Sequence, residues 1–179
     1  MKIKRLTLCG LLTALALTIF VLEAHIPALL PIPGIKLGLS NVITLFALWY
    51  LTPKETWFIL LSRILLGSFL IGNPSILLYS LIGGIGCLLI ELLLIAKAPI
   101  WAVSGVGAMV HNLMQLGVAA VLTQTLTVFY YLPYLLISGI LTGLFTGLCI
   151  YVLDRYSGKI IRRHLQEQSG FAARRRRRS

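Results

Sequence analysis

The 179 residues are 58% hydrophobic and only 12% charged, with a formal net charge of +11. A soluble domain is about a quarter charged, so the polar surface needed to wet a single globular body is missing. Disorder, a collagen-like repeat and a disulfide-stapled scaffold are excluded by the same figures, and Cys9, Cys87 and Cys149 lie in apolar runs at no metal-ligand spacing, as small hydrophobes do.

Six apolar segments follow in chain order: 6–22, 37–51, 57–71, 76–96, 100–122 and 132–153. They predict an all-α, polytopic membrane protein with six transmembrane helices. A spanning helix needs about 20 residues. The second and third segments are shorter. They are expected to tilt, to extend into polar flanks, or to be broken and buried in protein. The first segment follows Lys2, Lys4 and Arg5, but its apolar stretch outruns a signal-peptide core and five more segments follow. It reads as a retained first helix.

The loop Glu23 to Lys36 contains Pro27, Pro31, Pro33 and Gly34, so it is not regular helix throughout. It is either an apolar loop resting on the headgroup layer or a lid over an outward-facing cavity. Tyr130 and Tyr131 lie between the fifth and sixth segments and Tyr134 opens the sixth, where an aromatic belt belongs.

The charge divides unevenly. Residues 1–158 hold eight basic against four acidic residues, a net +4, and residues 159–179 hold eight against one, a net +7. With the N-terminus inside, 14 of the 16 basic residues lie on the inner side, Lys36 lies outside and Arg63 within a span. That asymmetry predicts a multi-pass protein of the cytoplasmic membrane with both termini cytoplasmic. The expected division is a transmembrane domain over 1–157 and a basic, disordered tail over 158–179. The Arg174–Arg178 run attracts anionic lipid. No fold or aromatic interleaving supports a nucleic-acid partner.

Ionisable side chains at membrane depth need a partner or a task. Arg63 and Glu91 lie about 9 and 8 Å from the inner ends of successive antiparallel segments. We expect an Arg63–Glu91 ion pair clamping two helices, the alternative being a gating or substrate-carboxylate role for Arg63. His111, Asn112 and Gln115 crowd one side of the fifth helix by their i,i+3 and i,i+4 spacing. With Asn41, Asn73 and Tyr79, and Ser80 beside it, they are expected to ring an outer-half pocket for a neutral or weakly charged organic molecule. The bland alternative is hydrogen-bonded glue between helices. Gly10, Ala14 and Thr18 step by four along the first helix, and Gly139, Gly143 and Gly147 along the sixth. Such faces serve internal packing or a partner.

The only aspartate is Asp154, so the Asp-rich magnesium site that a prenyl diphosphate would need is missing. No nucleotide loop is present. No enzyme activity, cofactor or metal is expected.

The runs GIKLGLSNVITLFAL (34–48), YSLIGG (79–84), HNLMQL (111–116) and YLPYLLISGILTGLFTG (131–147), with Arg63 and Gly67, resemble the Gx transporter family, also labelled heptaprenyl diphosphate synthase component I. The resemblance covers about residues 6–153. That family is grouped with the substrate-binding S components of energy-coupling factor (ECF) transporters, which are six-helix proteins of bacterial membranes. The resemblance implies that Gly10, Ala14 and Thr18 dock a transmembrane coupling subunit, and that ATP is hydrolysed by partner ATPases. The resemblance names no substrate; the family's label and associations suggest a quinone, isoprenoid or flavin-related precursor. The function expected is an S component or small permease for a small organic cofactor or precursor. The alternative is a non-catalytic membrane accessory subunit of isoprenoid or quinone synthesis.

Overall fold

A computed structural model of the chain describes residues 3–25 and 38–166. Six α-helices follow one another: α1 (Ile3–His25), α2 (Asn41–Tyr50), α3 (Pro53–Ile71), α4 (Pro74–Leu94), α5 (Ile100–Thr123) and α6 (Leu132–Gln166), with a 3-10 turn over Leu126–Tyr131 between the last two. Among the described residues there is no strand.

Local chemistry sets the helix ends. Thr52 caps α3, accepting from the Glu55 backbone N–H at 3.4 Å, while Glu55 Oε2 accepts from the Thr52 backbone N–H at 2.9 Å. Pro53 and Pro74 open α3 and α4, where a missing N–H costs nothing. Gly72 ends α3 in the left-handed conformation. Asn73 caps α4, and Pro99 precedes α5.

Four stretches are long and apolar enough to cross a membrane: Arg5–Glu23, Pro74–Leu94, Ile100–Thr123 and the continuous Leu126–Ile161. The other two helices, α2 and α3, are the two segments read as shorter. α3 has 19 residues but carries Lys54, Glu55 and Arg63. α2 has ten residues, about 15 Å, or half the hydrocarbon core. The break has a local cause. Gly38 adopts φ +80° and Leu39 and Ser40 form a turn, so α2 starts only at Asn41. At the other end, α6 runs to Gln166, past the boundary expected at 157. The stretch from Gly158 onward contains no proline and no further glycine before Gln166 to stop it. The loop beyond His25, with Lys36, and the tail from residue 167, with Arg174–Arg178, lie outside the described residues.

α5 is central, packed on α6 and α4, while α1 lies on α3 and α2 touches α3, α4 and α6. The glycine row of α6 explains the closest approach. A Cβ at Gly143 would sit 2.7 Å from Gly105 Cα and from the Ser104 carbonyl oxygen; one at Gly147 would sit 2.6 Å from Trp101 Cα. Without a hydrophobic drive between helices in lipid, such backbone-to-backbone contact holds them together by dispersion. The outside is apolar: Phe69, Val121, Leu126, Leu11 and Phe145 are all exposed. A bundle with that exterior suits lipid, not water. Tyr130 and Tyr134 are exposed where α5 passes to α6.

Candidate functional site

Arg63 lies about 15 Å along α3 from its first residue, deeper than the sequence placed it because α3 begins at Pro53. Asn41 lies at the opposite end of the short α2 from Tyr50, about 14 Å away along that helix. The two antiparallel helices therefore bring them to one level. Arg63 is 2% exposed. Its Nη1 donates to Ser40 Oγ, and its Nη2 donates to Asn41 Oδ1 at 2.5 Å. A guanidinium forks naturally onto two acceptors.

The bond to Arg63 fixes the Asn41 amide, because its oxygen is the acceptor. Asn41 Nδ2 then faces His111 Nδ1 of α5 at 3.4 Å. His111 Nε2 lies 2.9 Å from Gln115 Nε2, one turn along α5. The Gly83 backbone of α4 also bonds the ring. A neutral imidazole carries one N–H and one lone pair. Gln115 Nε2 donates to Nε2, which leaves the ring proton on Nδ1, so Asn41 Nδ2 packs against Nδ1 as donor beside donor and not as a hydrogen bond. His111 and Gln115 are both buried. A Cβ at Gly83 would lie 3.0 Å from both side chains, so a larger residue there would press on this contact.

Glu23, at the end of α1, joins the same place. Its Oε1 accepts from the Gly38 backbone N–H at 2.5 Å, and its charge bears on Arg63 more than that of Glu91. Gly38 is required twice over. Its φ of +80° is left-handed, and a Cβ there would lie 2.9 Å from Asn41 Nδ2 and 3.3 Å from His111 Cδ2. Four of the six helices and the turn before α2 thus converge on one buried polar cluster, and α1 reaches it through Glu23.

Not every candidate residue belongs to it. Asn112 turns to the other side of α5 and donates to the Leu135 carbonyl of α6 at 2.7 Å. Asn73 is exposed at the start of α4, accepting from the Ser75 N–H at 3.0 Å. Tyr79 is buried among Leu116, Ala119, Val128 and Leu135. Asn41, His111 and Gln115 come together. Gly10, Ala14 and Thr18 face outward, with nothing within 4 Å of a Cβ at Gly10.

Arg63 and Glu91 make no salt bridge among the described residues, while each buried charge acts on the other. The ion pair recorded among the described residues is Arg5–Glu55, at 3.1 Å. Glu91 lies about 5 Å from the last residue of α4, some 10 Å nearer that end of the bundle than Arg63. It accepts from Cys87 Sγ at 3.5 Å and packs against Gly107 of α5. Sequence spacing alone missed Ser40, Gly38 and Glu23. The signal available was a lone acidic residue ending an apolar run, and the GLSN turn before α2.

The cluster combines the Arg63 guanidinium, the amides of Asn41 and Gln115, the His111 imidazole and the Glu23 carboxylate. No group of three His, Cys, Asp or Glu residues gathers to hold a metal among the described residues. Asp154 accepts from Trp49 Nε1 at 3.1 Å and from the Tyr50 hydroxyl at 2.8 Å, so it clamps α2 to α6. These polar groups are hydrogen-bonded to one another in the interior of the bundle.

Residues 12–153 match the model of a family described as heptaprenyl diphosphate synthase component I. No curated protein and no solved structure matches the chain. The family match takes in most of the sequence, including every residue of the polar cluster. The chain belongs to that family.

Proposed function

We propose that this member of the heptaprenyl diphosphate synthase component I family is a non-catalytic membrane component of isoprenoid or quinone synthesis. It holds a small organic molecule at the cluster of Arg63, Asn41, His111 and Gln115. The observation that carries the reading is that cluster: amide, imidazole and guanidinium groups from α2, α3 and α5 buried together at mid-bundle. Such donors suit the acceptor oxygens of a weakly charged head group, as in a quinone, with an apolar remainder lying along the helices. A role without catalysis is supported by the single aspartate of the sequence, which is committed to Trp49 and Tyr50 and not to a magnesium diphosphate site.

The chain crosses the membrane six times in this reading, with the turn at Gly38–Ser40 completing the path of α2. Both termini are cytoplasmic. Arg5, Lys54, Glu55, Lys97 and Arg155 then share the inner face, and Arg174–Arg178 meet anionic lipid there.

A second reading is favoured by one observation. The Gly10, Ala14 and Thr18 face of α1 is open, as an S component docking an ECF coupling subunit would require, with ATP hydrolysed by partner ATPases. Affinity purification from mild detergent separates the two. A co-purifying prenyl synthase supports the first reading; coupling ATPases support the second and overturn the first.

A further inference from the structure

Toward the start of α5 from His111, a second polar space opens between α2, α4, α5 and α6. It has room for about one particle the size of water, about 10 Å³. Glu91, Cys87, Ser104, Thr142, Thr146 and Asn41 line it.

The polarity of the lining is one-sided. Thr142 Oγ1 donates to the Ser138 carbonyl at 2.7 Å, and Thr146 Oγ1 donates to the Gly143 carbonyl at 3.0 Å. Ser104 Oγ, 2.6 Å from Thr146 Oγ1, then gives its own proton to Thr146. Asn41 Oδ1 is taken by Arg63. The hydroxyl protons are spent on neighbours, so their oxygens turn lone pairs to the cavity. Glu91 is 2% exposed, its Oε1 accepts from Cys87, and its Oε2 has no hydrogen-bond partner. Arg63 makes no salt bridge with it among the described residues, since that guanidinium is held by Ser40 and Asn41.

A buried carboxylate among acceptor oxygens is incomplete without a positive partner. Hydroxyl and carboxylate oxygens are hard ligands. One carboxylate matches one positive charge; Ca²⁺ and Mg²⁺ sites draw on more anionic or water ligands and would leave a net charge inside the membrane. We infer that this cavity is a sodium site, with Glu91 as the anionic ligand and the hydroxyls of Ser104, Thr142 and Thr146 as neutral ones. Its ligands are not those of the organic-molecule site, although Asn41 borders both, and it stands whether or not that reading holds.

The test is thermal unfolding of the full chain in detergent, with NaCl exchanged for KCl at constant ionic strength and pH. Sodium binding to the folded state raises the midpoint in a saturable way, and potassium does not. Glu91→Gln is expected to abolish the sodium-dependent rise. Thr146→Val is expected to move its half-saturation at least tenfold, and serves alone if Glu91→Gln does not fold. A wild-type midpoint indifferent to sodium overturns the inference. So does a rise that survives in these variants, or a midpoint that answers only to acid, which would mean a proton neutralises Glu91.

Discussion

Arg63 of α3 donates to Asn41 of α2 at 2.5 Å, and that bond turns the Asn41 amide nitrogen toward His111 of α5. One buried cation thereby orients a contact two helices away. Its fork grips a hydroxyl and an amide of the turn and helix that follow Gly38, where a carboxylate clamp was expected from spacing.

Replacing Arg63 with methionine removes two charge-assisted bonds while keeping most of the volume. The loss is expected to be about 3 kcal/mol of stability, measured by denaturant unfolding in detergent. Lysine has one point charge in place of the planar fork and is expected to recover less than half of it. The exchange of Arg63 and Glu91 for each other is expected to restore little, because Arg63 is held by Ser40 and Asn41.

Gly38→Ala meets two obstacles, the left-handed φ and the 2.9 Å approach to Asn41 Nδ2. The strain alone is worth about 1–2 kcal/mol. Displacement of Asn41 is expected to weaken ligand binding as well. A variant with wild-type stability and binding would show that the turn before α2 is not rigid.

At Gly143 the neighbours of an added Cβ are backbone atoms of α5, which have no rotamer to yield. Gly143→Ala is expected to cost about 1–3 kcal/mol by forcing α5 and α6 apart. Gly10→Ala, on the open face of α1, is expected to leave stability unchanged. Parallel unfolding curves of the two variants check the contrast.

Asp154→Ala leaves Trp49 Nε1 and the Tyr50 hydroxyl without their shared acceptor. The expected loss is about 1–3 kcal/mol, with a change in tryptophan fluorescence at the end of α2. No change in stability would show that Asp154 is dispensable as a clamp.

The helices were legible in the sequence because apolar runs punctuated by Pro53, Pro74 and Pro99 leave few choices. All six begin or end within a few residues of the segments read, except where Gly38 delays α2 and where α6 continues past residue 157. The site was legible in part. The i,i+4 spacing of His111 and Gln115 puts them together on any helix, and Asn41 joins because α2 is antiparallel to α3. Asn112 was misplaced because three polar residues in two turns do not all face one way: its amide serves α6. Arg63 and Glu91 were paired by depth measured from helix ends that proved to start elsewhere, and a shift of one turn is enough to separate two side chains. Glu23 and Gly38 act through a turn whose conformation no periodicity announces.

The central claim is that Asn41, Arg63, His111 and Gln115 hold a small organic molecule within the membrane. Native mass spectrometry of the protein purified in mild detergent tests it most directly, with wild type beside His111→Ala and Gln115→Ala. The account predicts a small molecule bound to wild type, and occupancy at least tenfold lower in both variants, each still folded. Equal occupancy in all three, or no bound molecule in wild type taken from native membranes, would contradict it.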